Sequence, residues 1–274
     1  MESNNLRIHL VQNAAVWNDP QASLLELDFL LSTNLTRDSR GGLLVLPEMF
    51  AQGFVTNLDI VNLKDTIINN QERTLDWMKK TAQKYGVVVV GSLPMLEGGF
   101  LYNRMYMVHG NVQFNQFYDK KHLFSLAGEH LHFSPGSKRV CWEYNGWSMM
   151  PSICYDLRFP VWLRNQKDYQ VILCVANWPK SRSLAWRSLL VARAIENQAY
   201  IVGVNRVGTD GTGTVYEGSS MVVGPDGAIL VQMGDQKGLC SVGIDAHVLA
   251  VFRRAYPFLA DADNFRFNPP QTHE

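Results

Sequence analysis

Residues 6–12 read Leu-Arg-Ile-His-Leu-Val-Gln and residues 43–48 read Leu-Leu-Val-Leu-Pro-Glu; between them Leu24, Leu27, Leu31 and Leu35 recur at helical spacing. The first stretch alternates as a strand does. The second is a short apolar strand, opened by the Gly41-Gly42 break and closed by Pro47. Strand, helix and strand in that order form a βαβ unit, which requires parallel strands covered by helices. Continuous apolar runs, in turn, mark strands buried on both faces. The fold class read from this unit is α/β.

Working outward, residues 71–85 predict a second helix with Leu75, Met78 and Ala82 on one face, followed by a strand over Val87–Gly91. Residues 101–108 and 112–118 read as a hairpin around His109-Gly110-Asn111. Residues 139–144 and 147–153 read as another around Asn145-Gly146, a two-residue turn signal. A polar, His-rich loop separates these hairpins, and a short helix is expected to start near Pro160, whose fixed φ suits a first turn. Val171–Ala176 and Tyr200–Val204 are strands around a helix over 183–198, with Leu184, Leu189, Ala192 and Ile195 expected inward. Short strands follow at 219–223, 228–233 and 239–244, the first two joined through Pro225-Asp226-Gly227. No repeat, linker or low-complexity tract divides residues 1–274, so one domain is expected, with a C-terminal tail from about residue 256. Two packed sheets with helices outside satisfy this pattern, and so does a single doubly wound sheet.

Composition narrows the function. The chain has 274 residues, 46% hydrophobic and 18% charged, enough for a sizeable core. Its 25 basic and 25 acidic residues cancel; the lack of a basic excess argues against a nucleic-acid partner. A net charge of zero leaves self-association unopposed, which favours an oligomer. No apolar run reaches the roughly 18 residues a membrane helix needs, and the N-terminus lacks the basic and apolar regions of a signal peptide. The four cysteines show no C-x-x-C spacing. They read as reduced thiols, as in a cytoplasmic protein.

Several residues could carry chemistry. Cys154 lies in Pro-Ser-Ile-Cys-Tyr-Asp-Leu-Arg-Phe-Pro, between an expected strand and an expected helix. Such a corner exposes a side chain near free backbone N–H groups, although a buried structural cysteine fits too. Cys174, inside an apolar strand, reads as structural, and Cys141 and Cys240 carry no assigned role. Glu48 follows a buried strand, where open α/β sheets build their sites. Its neighbours Pro47, Met49 and Phe50 would desolvate it, as suits a general base. The pair Lys120-Lys121 ends a strand and could supply a fixed positive charge, or simply form a solvated rim. Glu129 by itself reads as a loop carboxylate. His122, His130 and His132 cluster, but no cysteine or carboxylate pattern completes a metal-ligand spacing, and loop polarity explains them as well as a Cys–His dyad does.

Together these segments carry a resemblance. Val-Leu-Pro-Glu-Met-Phe (45–50), Tyr-Asp-Lys-Lys-His-Leu-Phe (118–124) and Ile-Cys-Tyr-Asp-Leu-Arg-Phe-Pro (153–160) resemble, in order, the three signature segments of the nitrilase, or carbon–nitrogen hydrolase, superfamily. The likeness continues through Ala-Arg-Ala-Ile-Glu-Asn-Gln-Ala-Tyr (192–200) and Tyr-Glu-Gly-Ser-Ser (216–220) and spans residues from about 6 to about 250. The resemblance implies an α-β-β-α four-layer sandwich that forms a homodimer and hydrolyses non-peptide C–N bonds without metal or organic cofactor. It puts the family's catalytic positions on Glu48, Lys120, Cys154 and Glu129. Tyr155, Asp156, Arg158 and Phe159, the His-Leu-His stretch after Glu129, and Val-Ala-Asn-Trp-Pro (175–179) look like the omega-amidase, or 2-oxoglutaramate amidase, branch. Substrates of that branch are ω-amides of 2-oxo dicarboxylic acids. On this footing Lys120 and the Tyr155 N–H would hold the oxyanion. Arg158, Lys180 and Arg182 are candidate anchors for the substrate carboxylate, and Phe124 and Trp178 candidate walls. A nitrilase, an N-carbamoyl amide hydrolase, or a catalytically silent binding protein on the same fold are the alternatives.

Overall fold

The computed structural model describes residues 5–56, 60–110 and 116–266. The chain begins with β1 (Asn5–Gln12), α1 (Pro20–Asn34), β2 (Leu43–Val45), α2 (Ile60–Tyr85), β3 (Val88–Glu97), β4 (Phe100–Val108) and β5 (Gln116–Asp119). After the short α3 (Glu129–His132) come β6 (Trp142–Tyr144), β7 (Trp147–Ile153), α4 (Pro160–Leu163), β8 (Val171–Ala176), α5 (Ser183–Asn197) and β9 (Tyr200–Asn205). The path closes with β10 (Val207–Thr209), β11 (Val215–Glu217), β12 (Met221–Val223), β13 (Ile229–Gln232), β14 (Gly238–Asp245) and α6 (Ala246–Ala255).

Two six-stranded sheets result, in the orders β14-β1-β2-β3-β4-β5 and β13-β12-β9-β8-β7-β6. Each has a parallel centre, β1-β2-β3 in one and β7-β8-β9 in the other. The period-two alternation of strands assigns their faces. Leu43, Val45, Val88 and Val90 turn inward to share a core with Met149, Ile172 and Val202 of the other sheet. Leu44, Leu46 and Val89 turn outward onto Leu27 and Leu31 of α1 and Met78 and Ala82 of α2. On the far side α5 lies on β9, where a Cβ at Gly203 would sit 2.6 Å from Leu190 Cδ1. The layers are therefore α-β-β-α, which removes the single doubly wound alternative.

Local signals explain most boundaries. The Asp19 side chain accepts from Ala22 N (3.0 Å) and Pro20 opens α1. Asn145 and Gly146 both have positive φ (48° and 76°), the conformation that the tight β6–β7 hairpin needs. Four expectations shift. First, α2 starts at Ile60, well before residue 71; its first turns are rich in β-branched residues and Asn, which lowers their helix propensity and hides them. Second, β3 runs on to Glu97 and turns at Gly98-Gly99 into β4. Pro94 is tolerated because β2 pairs only with Val88–Val90, so this end of β3 bonds on one side. Third, β4 does pair with β5, but the expected turn residue Asn111 and the start of the strand expected over 112–118 lie outside the described residues. Fourth, α5 buries Trp186, Leu190, Arg193, Ala194 and Asn197, whereas Leu184 and Ile195 are exposed. The buried face holds polar side chains with work to do: Arg193 donates to Leu157 O, and Asn197 Oδ1 accepts from Asn165 N. Apolar spacing alone misses such a face. The β10–β11 pair and α6, with Asp245 as its N-cap, add to the sequence reading. The tail folds back on its own chain, with Tyr256 O accepting from Gln198 Nε2.

Candidate active site

The carboxyl ends of the central parallel strands converge, as open α/β sheets arrange their sites. Glu48 lies just beyond β2, Cys154 just beyond β7 and Asn177 just beyond β8. Lys120 follows β5, and Glu129 opens α3 after Gly128, whose φ of 72° turns the chain into that helix.

Lys120 is the hub. Its Nζ donates to Glu48 Oε1 (2.8 Å) and to both carboxylate oxygens of Glu129 (3.1 and 2.9 Å). All three side chains are fully buried. Burial pulls the Lys120 pKa down, but the charges of Glu129 and Glu48 outweigh it and hold it above the ordinary lysine value, so the ammonium stays charged. Burial raises the Glu129 pKa, Lys120 opposes that and Glu48 adds to it; the net direction is upward. Glu48 is fixed further by its second oxygen, which accepts from Asn177 N (2.9 Å), and by its carbonyl, which accepts from Asn177 Nδ2 (2.8 Å). Asn103 Nδ2 donates to Glu48 Oε1 (2.8 Å) and Glu129 Oε1 (3.2 Å).

The backbone delivers Lys120 through tight packing. Its N–H donates to Asn103 O (2.9 Å) and its C=O accepts from Gly136 N (2.8 Å). A Cβ at Gly136 would stand 2.1 Å from Asp119 O, so only glycine admits this approach.

Cys154 sits at the corner between β7 and a 3-10 turn over Cys154–Arg158, with φ of 46°. A non-glycine residue in that region is strained, and such strain gathers at functional positions. The thiol is partly exposed to the cavity, 3.9 Å from Asn177 O. Desolvation and the Glu48 charge push its pKa well up, while Lys120 pulls it down. The surroundings thus favour the neutral thiol over the thiolate. Beneath it, Cys174 is fully buried with its pKa pushed up to about 12, first by desolvation, which marks an inert thiol. Asp156 ties the corner to the Lys120 loop. It accepts from Tyr118 Oη (2.8 Å), Ile153 N (3.1 Å) and His122 N (2.9 Å), and its Oδ1 also meets His122 Nδ1 (2.8 Å). The His122 ring lies on Phe159 at 3.7 Å, so this histidine is a structural strut. His130 and His132 are exposed on α3. Among the described residues no histidine lines the cavity, and no three His, Cys, Asp or Glu side chains are grouped to hold a metal ion.

Above the thiol opens a cavity of about 410 Å3, lined in part by Lys120, Cys154 and Tyr155. Phe124, Arg158, Trp178 and Arg182 line it. The Arg158 guanidinium lies 4.8 Å from the Trp178 ring and that of Arg182 lies 5.3 Å from the Phe124 ring. Among the described residues neither arginine has a carboxylate partner. Lys180 differs from the expectation. It does not line the cavity; its side chain is 61% exposed and its Nζ reaches out to Glu217 at 4.0 Å. A 3-10 turn over Lys180–Arg182 directs neighbouring side chains apart, so it sends Lys180 outward and Arg182 inward. Sequence reading also left unassigned Asn103, Asn177 and the β10–β11 hairpin that brings in Asp210, Thr212, Thr214 and Tyr216. Asp210 is saturated by donors from Thr212, Thr214 and Tyr216, which together hold its pKa low against burial, the largest opposing influence. Asn103 stands in β4 beside a second polar residue, Arg104, so strand composition offered no signal that singled out the amide.

These features fall within a known class: the family model for carbon–nitrogen hydrolases matches residues 7–254, and the chain belongs to that family. Among individual relatives, it is 42% identical over 267 residues to the omega-amidase YafV of Escherichia coli K12, covering 95% of this chain and 98% of that protein. It is 33% identical to a 2-oxoglutaramate amidase of Bacillus subtilis, over 89% of this chain and 93% of that one. Among solved structures, XC1258 of Xanthomonas campestris, described as a CN-hydrolase superfamily protein with an arsenic adduct in its active site, superposes with a TM-score of 0.88 at 35% identity, covering 98% and 100% of the two chains. The chain is thus a hydrolase acting on amides, of the nitrilase superfamily, on the fold expected from its signature segments.

Proposed function

We propose that this protein hydrolyses the terminal amide of small 2-oxo dicarboxylic acid monoamides, 2-oxoglutaramate among them, through a thioester on Cys154. The observation that carries the proposal is the pairing of a thiol beside a buried Lys120–Glu48–Glu129 cluster with two arginines on the same cavity that have no carboxylate partner among the described residues. An uncharged ω-amide end fits the thiol, and a distal carboxylate fits a guanidinium, which offers parallel donors to it.

The chemistry runs as an acyl transfer. Glu48 takes the Cys154 proton as sulfur adds to the amide carbon. The oxyanion is held by Lys120 and the Tyr155 N–H, which stands in the first turn of its 3-10 segment without an intrahelical partner. Each such donor lowers a barrier by about 3–4 kcal/mol. The C–N bond breaks, Glu48 passes the proton to the leaving nitrogen, and ammonia departs. Water, deprotonated by Glu48, then cleaves the thioester, giving the dicarboxylate and the restored thiol. Glu129 holds Lys120 in place. Arg182 and Arg158 anchor the carboxylate, between walls formed by Phe124 and Trp178.

Intact-mass spectrometry across 2-oxoglutaramate, simple nitriles and N-carbamoyl compounds tests the reading. An acyl adduct on the peptide of Cys154 with 2-oxoglutaramate, absent in Cys154→Ala, is the expected result. Ammonia release that persists in Cys154→Ala would refute the nucleophile. A preference for nitriles or carbamoyl compounds would refute the substrate class. Arg182→Ala is expected to raise KM about ten- to a hundred-fold for the carboxylate-bearing amide and to leave an uncharged amide unaffected. The same proposal has the protein working in the cytoplasm as a homodimer. All four cysteines are unpaired, as reduced thiols are. No helix among the described residues is long and apolar enough to cross a membrane. Sedimentation equilibrium is expected to give twice the 31.0 kDa of one chain.

A further inference from the structure

Around the buried ammonium lies a second donor. Asn103 Nδ2 donates to Glu48 Oε1 (2.8 Å) and to Glu129 Oε1 (3.2 Å). Lys120 Nζ donates to the same two oxygens, at 2.8 and 3.1 Å. Two nitrogens and two oxygens thus alternate around a closed four-atom ring. Asn103 is fully buried, and its Oδ1 has no protein partner among the described residues. The side chain is therefore held by its two donated bonds alone. A buried acceptor is rarely left open, and here the donors on the same amide are what the surroundings require. The backbone of Asn103 serves the same cluster, since its C=O accepts the Lys120 N–H (2.9 Å).

Two carboxylates facing one ammonium carry an excess negative charge in a buried site. Such pairs tend to share a proton, and a shared proton removes the base. We propose that Asn103 is a positioning residue whose amide keeps Glu48 and Glu129 as separate acceptors on either side of Lys120, so that Glu48 is available to take the Cys154 proton. This rests on the reading of Glu48 as the base for Cys154. The titratable groups around the pair are Lys120 at the end of β5 and Cys154 after β7, with Cys174 of β8 and Tyr216 of β11 in electrostatic reach of that thiol. Asn177 supplies neutral donors from the end of β8.

The test compares the full chain with Asn103→Leu, Asn103→Ser and Asn103→Asp. Alkylation of Cys154 by iodoacetamide is followed against pH by mass on its peptide, and kcat and KM are measured on 2-oxoglutaramate. Asn103→Leu is expected to move the acid limb of alkylation up by about one pH unit. Its kcat is expected to fall by about ten- to a hundred-fold, with KM changing by no more than about twofold. Asn103→Ser restores one donor and is expected to lie between Leu and wild type; Asn103→Asp adds a third carboxylate and is expected to shift furthest. A merely structural role would lower the folded fraction without moving the limb. Wild-type limbs in folded Asn103→Leu and Asn103→Asp overturn the proposal. If Asn103→Leu does not fold, the Ser and Asp limbs decide in the same way. Alkylation needs no substrate, so a shifted limb without any amide hydrolysis supports Asn103 and refutes the substrate reading; hydrolysis with unmoved limbs does the reverse.

Discussion

Replacing Lys120 by Met keeps much of the side-chain volume and removes the charge that holds the site together. Three donated hydrogen bonds disappear, at 2.8, 2.9 and 3.1 Å, and two carboxylates remain buried beside each other. Breaking a buried pair by removing one partner costs about 3–5 kcal/mol, which for a chain of this size lowers Tm by roughly 10 °C. The loss should depend on pH, with a definite sign. Lys120 has its pKa raised on folding, so its contribution is complete below the ordinary lysine value, about 10.4, and fades only above it. Between about pH 5 and about pH 8 the wild-type term is constant. In the variant Glu129, already raised from 4.5 by burial with Glu48 adding to it, loses its counter-charge and rises further. A carboxyl raised on folding binds more protons folded than unfolded, so stability falls as pH climbs through that window. The gap between wild type and Lys120→Met is therefore expected to widen from about pH 5 to about pH 8, by about 1.4 kcal/mol for each further unit that Glu129 rises. Urea unfolding at both pH values measures it. On the proposed mechanism an oxyanion donor is lost as well, so kcat should fall by about 100- to 1,000-fold. A gap that is equal at the two pH values, or a variant that keeps its kcat, would show that Lys120 is not the counter-charge described.

Two further outcomes follow from particular contacts. Cys174 has a pKa raised from 9.0 to about 12, so wild-type stability should drop across that range, by about 2 kcal/mol at about pH 10.5, while Cys174→Ala escapes the slope. The destabilisation of Cys174→Ala seen by urea unfolding near neutrality should then shrink or vanish at alkaline pH, and a constant gap refutes it. Gly136→Ala puts a methyl 2.1 Å from a backbone oxygen, and the segment must shift together with Lys120, whose carbonyl it binds. Steady-state kinetics should show kcat reduced about ten- to a hundred-fold, since small misplacements are costly at a reacting centre.

Much of this architecture is legible in the chain, because the signals are local. Leu43–Leu46 announces a buried strand, Asn145-Gly146 a tight hairpin, and the three motif segments bring Glu48, Lys120 and Cys154 to notice before any contact is known. What stays hidden is direction and partnership. Lys180 and Arg182 sit two residues apart, yet only the turn geometry sends one to solvent and one to the cavity. Arg193 and Asn197 spoil an apolar stripe because they bind distant backbone groups, and Asn103 is a lone amide in a strand until the fold sets it between two carboxylates from other elements. Long-range polar pairing has no period in sequence, so only coordinates reveal it.

The left-handed backbone at Cys154 has an engineering corollary. A residue with a Cβ is held there against its preference by about 1–2 kcal/mol, whereas glycine would rest there without complaint. Cys154→Gly would relieve that strain at the expense of a looser unfolded chain and, on the proposed mechanism, of the nucleophile itself, so the backbone there is shaped to present a sulfur and not to rest.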